Sequence, residues 1–119
     1  LLPSRVVDTR APSVGAVVAG GELDVVVLGR GGVPLSGVGA VVLNVTATDA
    51  VSAGYLTVWP NGEGRPLASS LNFVPGQPVA NSVVAKVGVD GKVSFWNSND
   101  SPVMGSVNVL VDVVGWFAA

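Results

Sequence analysis

Gly39-Ala40-Val41-Val42-Leu43-Asn44-Val45-Thr46-Ala47-Thr48 is the stretch that decides the fold class. Successive side chains of an extended strand point to opposite faces, so Gly39, Val41, Leu43, Val45 and Ala47 share one side, and Ala40, Val42, Asn44, Thr46 and Thr48 the other. The first set is apolar and reads as core. The pattern returns near the end of the chain, where Val107, Val109, Val111, Val113 and Phe117 form a dry row opposite Ser106, Asn108, Leu110, Asp112, Val114 and Trp116. Strands with one dry face must lay that face on a second layer, which implies two packed sheets.

Turn signals divide the rest of the chain at nearly regular intervals: Gly20-Gly21, Gly31-Gly32, Asn61-Gly62, Pro75-Gly76, Asp90-Gly91 and Asn97-Ser98-Asn99-Asp100. Short β-branched runs lie between them, and no stretch carries a helical period. Strands are expected near 4–9, 22–28, 39–48, 54–59, 70–74, 79–88, 92–97 and 105–117. The expected fold is one all-β antiparallel sandwich of about seven to nine strands, with Greek-key or jelly-roll connections and essentially no helix. Val83–Val89 and Lys92–Asn97 are expected to form a hairpin, because Asp90-Gly91 can supply the two positive-φ residues of a type I′ turn.

Composition supports a valine-built β core and narrows the chemistry. Valine occurs 28 times and isoleucine never, and Gly 16 and Pro 8 provide the turns. Charged residues make up 12% of the chain, where about 25% is usual. The absence of cysteine excludes disulfides, thiolate chemistry and cysteine-held metals, and the absence of histidine removes the commonest general base and metal ligand. Six Lys and Arg and a net charge of -2 give no electrostatic footprint for nucleic acid or an anionic membrane. No apolar run approaches the roughly 20 residues of a membrane span. The 119 residues are expected to form a single module, 1–119, cut from a longer secreted protein, since the chain opens Leu1-Leu2-Pro3-Ser4-Arg5 without an initiator methionine or a cleavage signature.

Few side chains are candidates for a site. Tyr55, Thr57 and Trp59 share one face of their strand, and Trp96 shares its face with Lys92 and Ser94, so Trp59 and Trp96 lean outward; with Trp116 they form an aromatic set. Such rings can stack on the apolar face of a sugar while neighbouring Asn, Asp and Ser take its hydroxyls. The preferred reading is that each ring covers a loop, a sheet edge or a neighbouring module. Arg5, Asp8 and Arg10 form the densest charge cluster, read as a polar pin for the first strand in preference to a carboxylate-binding site. Asn44, Asn72, Asn81 and Asn108 sit in strands where Asn is disfavoured, and are expected to bond to crossing loops. Asn44-Val45-Thr46 and Asn99-Asp100-Ser101 match the glycosylation pattern, a short and weak signal. The acidic residues fall mostly at turns and strand ends, no carboxylate pair stands out for glycoside hydrolysis, and no calcium loop surrounds Asp90 or residues 97–100. No catalytic residue, metal or cofactor is expected.

The ordered elements Ser4-Arg5-Val6-Val7-Asp8-Thr9-Arg10, Val41-Val42-Leu43-Asn44-Val45-Thr46, Gly54-Tyr55-Leu56-Thr57-Val58-Trp59-Pro60, Ser70-Leu71-Asn72-Phe73 and Asp112-Val113-Val114-Gly115-Trp116-Phe117 span nearly the whole chain. Together they resemble a β-sandwich module of secreted and surface proteins of high-GC actinobacteria. The resemblance implies tandem or accessory modules attached to hydrolases and peptidases, outside the cell. It supplies no catalytic residue and no defined ligand. The expected function is therefore a non-catalytic extracellular module mediating attachment, to carbohydrate or the cell surface. The alternative is a structural repeat whose aromatic face packs on neighbouring modules or a homo-oligomer partner. Neither nucleic acid nor membrane insertion is expected.

Overall fold

The computed structural model describes residues 3–98 and 105–119. Eight strands form in the expected places: β1 (Ser4–Asp8), β2 (Glu22–Val26), β3 (Val38–Thr48), β4 (Gly54–Pro60), β5 (Leu71–Phe73), β6 (Val79–Lys86), β7 (Lys92–Asn97) and β8 (Asn108–Ala118). They build two four-stranded sheets, β1-β8-β3-β6 and β2-β7-β4-β5. Every pairing is antiparallel. The chain crosses between sheets at almost every step and only β4 and β5 pair as sequence neighbours, which is the winding of a jelly roll. A three-residue 3-10 turn at Val89–Gly91 accompanies the strands.

Valine alternation decides what is buried. Val41, Leu43, Val45 and Ala47 of β3 and Val109, Val111 and Val113 of β8 are fully enclosed, with Val107 just ahead of β8. Leu56 of β4, Val93 and Phe95 of β7, Val25 of β2 and Leu71 and Phe73 of β5 meet them from the second sheet. β-Branched side chains are stiff at χ1 and pack well on a pleated surface, so a core built on valine loses little side-chain entropy on folding.

Two expectations fail, each for a physical reason. The hairpin of 83–89 with 92–97 does not form: β6 pairs with β3 in the first sheet, and β7 pairs with β2 and β4 in the second. The local turn is as expected, with Asp90 at φ 56 and Gly91 at φ 70, and the Lys92 N–H donates to the Val89 carbonyl. The strands nevertheless part because Gly88 and Val89 run against the end of β4. Val89 N–H donates to the Asn61 carbonyl at 2.8 Å, and a β-carbon on Gly88 would overlap the Asn61 backbone.

The second correction lies in β8. Leu43 pairs with Val113 but Val42 pairs with Gly115, leaving Val114 as the extra residue of a β-bulge. One added residue inverts the alternation beyond it. Phe117, expected in the dry row, therefore lies on the outer face and is 58% exposed, while Trp116, expected on the outer row, pairs with Val41 on the inner side, yet at the end of the sandwich it stays 37% exposed. Leu110, also assigned to the wetter row, is buried beside Asp8 and Thr46.

Candidate functional site

The outer face of the second sheet gathers most of the chemistry in the molecule. Cross-strand register places Trp59 opposite Ser94, Thr57 opposite Trp96, and Glu22 and Asp24 opposite Trp96 and Ser94. Tyr55 and Trp96 meet edge to face, with ring centroids 5.9 Å apart. A polar relay runs beside them: the Asn61 amide donates to the Ser94 hydroxyl at 2.9 Å, and that hydroxyl donates to an Asp24 carboxylate oxygen at 2.7 Å. The outward lean of Trp59 and Trp96 is thus present, but the rings are not open to solvent.

Residues 61–69, between β4 and β5, fold back over this face as a strap. The Trp59 indole N–H donates to the Glu63 carbonyl at 3.1 Å, and the Thr57 hydroxyl donates to the Ala68 carbonyl at 3.1 Å. The Arg65 guanidinium lies over the Trp96 ring, 3.7 Å from its centre. Trp59 and Trp96 are consequently buried, 5% and 8% exposed, although they belong to the outer face. Glu22 is held above the usual carboxylate range, first by its hydrogen bond with Asp24, then by partial burial and the Asp24 charge, while the Arg65 charge opposes the rise. Sequence reasoning missed Arg65, Glu22 and Asp24. The carboxylates were legible as positions i and i+2 on one strand face, whereas the fold-back of the strap had no local signature.

The Arg5, Asp8 and Arg10 cluster lies elsewhere, at the edge of the first sheet. Arg5 grips Asp112 of β8 through Nε at 2.9 Å and Nη2 at 3.3 Å, and Arg10 grips Asp8 through Nε at 3.0 Å and Nη2 at 2.9 Å. The Arg10 backbone N–H also donates to Asp8. The Arg5 contact ties β1 to β8, and the Arg10 side chain is the chief cause that holds the Asp8 carboxyl down to about 2. Asn81 and Asn108 bond to crossing segments: Asn81 donates to the Ser70 carbonyl, and Asn108 accepts from Thr9 and donates to Asp49. Asn97, read in the sequence as the start of a turn, ends β7, is buried and donates to the carbonyls of Val17 and Gly105 at 3.1 and 3.0 Å.

No family model matches the chain, and no curated protein matches it.

Trp116 stands apart from Tyr55, Trp59 and Trp96, in the other sheet. Across the outer face of that sheet, Val84 pairs with Val42, Val42 with Gly115, and Ala40 with Phe117. Val84 and Phe117 are 63% and 58% exposed, with Val42, Val114 and Ala40 half-buried between and beside them. This apolar strip is bordered by Lys86, Ser82 and Asp112. Among the described residues, no three acidic side chains cluster as a metal site, and no helix is long and apolar enough to cross a membrane. Asn99, Asp100 and Ser101, part of the proposed turn and of one glycosylation pattern, lie outside the described residues.

Proposed function

We propose that this protein is a non-catalytic extracellular accessory module that attaches through the outer face of its first sheet to a neighbouring protein module, including further copies of itself. The observation carrying the reading is the strip of Val84, Val42, Val114 and Phe117, which leaves Val84 and Phe117 largely in water on the outer face of the sheet. Contiguous exposed apolar surface with a polar border is the common signature of a contact face. The resemblance to tandem surface modules agrees with it. Contacts of this size are weak singly, with Kd on the order of 10 µM to 1 mM, and gain strength when modules are linked.

A second reading is carbohydrate binding through the second sheet, supported by the Tyr55, Trp59 and Trp96 rings set among Ser94, Asn61 and Asp24. It ranks behind the first because the strap covers those rings. Sedimentation velocity from micromolar to millimolar concentration tests the leading reading: self-association should be present and should be lost in a Val84→Ser/Phe117→Ser variant that keeps its melting temperature. A strictly monomeric wild type that is retained on polysaccharide columns would reverse the order of the two readings.

A further inference from the structure

We propose that residues 62–69 are a latch that closes the aromatic row of the second sheet and opens as one unit beyond the anchored Asn61, with Arg65 on Trp96 as its fastening. Asn61 stays bonded to Ser94, Lys92 and Val89, and three contacts hold residues 62–69 to the face beneath them. Two are hydrogen bonds to its backbone, from the Trp59 indole to Glu63 and from the Thr57 hydroxyl to Ala68, and the third is the Arg65 guanidinium over Trp96. The hydrogen bonds lie near the ends of the strap, and Arg65 holds the stretch between them. The outward side of the strap gives it little to lose on opening: residues 63–69 are exposed throughout, and Leu67 is 97% exposed. Gly62 at φ +92 and Gly64 give the near end backbone freedom.

The surface under the strap is built to hold a cation. Glu22 and Asp24 project from β2 onto the face that carries Trp96, and crowding them together is unfavourable unless a positive charge stands near. Arg65 supplies that charge from within the chain and covers the ring at the same time. Opening would uncover Tyr55, Trp59 and Trp96 beside the hydrogen-bonding groups of Asn61, Ser94 and Asp24. That combination suits a ligand with a flat C–H face and a rim of hydroxyls, a sugar ring. The occupant rests on the carbohydrate reading, whereas the latch stands without it.

The test follows the Trp59 indole N–H by NMR, because its partner Glu63 belongs to the strap while Trp59 itself does not touch the fastening contact. In Arg65→Ala, solvent exchange of this proton should rise roughly two- to five-fold, the range expected from losing an exposed cation–π contact, with the Phe95 and Val58 amides as protected as in the wild type. Glu22→Gln/Asp24→Asn, which removes the charge that draws Arg65 in, should give a smaller rise in the same direction and serves if Arg65→Ala fails to fold. Unchanged Trp59 exchange in the folded variants would overturn the latch. Titration of Arg65→Ala with cellohexaose and chitohexaose then tests the occupant. Shifts at Tyr55 and Trp96 larger than in the wild type support a sugar, and their absence alongside faster Trp59 exchange would leave a latch and overturn the carbohydrate occupant.

Discussion

Single residues hold the corners of this sandwich, and their effects can be separated. Asn97 donates to two carbonyls, Val17 far away in sequence and Gly105 eight residues on. Replacing it with Ala leaves the half-buried Gly105 carbonyl without that partner and the Val17 carbonyl with the Val107 N–H, so Asn97→Ala should cost about 1–3 kcal/mol in urea unfolding. Gly88 is required for want of space, since any β-carbon meets the Asn61 backbone. Gly88→Ala should destabilise by about 1–3 kcal/mol, the usual cost of forcing atoms into a packed place, read as a lower melting temperature. Asp8 should titrate at about 2 in a carboxyl-detected NMR experiment and return towards 3.8 in Arg10→Ala, since the Arg10 side chain is the largest cause of the depression. Its folded-state pKa is lowered, so whatever stability the contact contributes is present above the unfolded value and disappears as the pH falls through about 2.

Among the elements, the strands were readable and their partners were not. The alternation in 39–48 assigned Val41, Leu43, Val45 and Ala47 to the core because a period of two is a local property of extended chain. The partner of β7 is a long-range property. Asp90-Gly91 makes the same turn whether the flanking strands pair or separate into different sheets, and the deciding contact, Val89 with Asn61, joins positions far apart in sequence. The bulge at Val114 was likewise hidden, since Val113-Val114-Gly115 carries the same apolar character with or without an extra residue. Because the pairs Leu43 with Val113, Val42 with Gly115 and Val41 with Trp116 keep strict alternation once Val114 is skipped, deleting Val114 should leave the fold and the Trp116 emission maximum unchanged. A shift of that emission in the folded deletion variant would show that Trp116 had changed faces and that no bulge was there.

Across the whole molecule, burial is distributed differently from the aromatic pattern of the sequence. Period-two reasoning correctly put Trp59 and Trp96 on an outer face, yet a face becomes a surface only if nothing folds over it, and strap 61–69 does. Apolar side chains on the other sheet remain in water instead, at Val84 and Phe117. The proposed contact therefore belongs to the valine-rich sheet, and the tryptophans of the second sheet are closed in the free protein. Methyl and aromatic NMR spectra recorded from 20 µM to 1 mM protein, roughly the range of the expected Kd, probe both faces at once. Concentration-dependent shifts are expected at Val42, Val84, Val114 and Phe117, with Tyr55, Trp59 and Trp96 unmoved. Shifts confined to Tyr55, Trp59 and Trp96, or none anywhere in that range, would contradict the proposed contact.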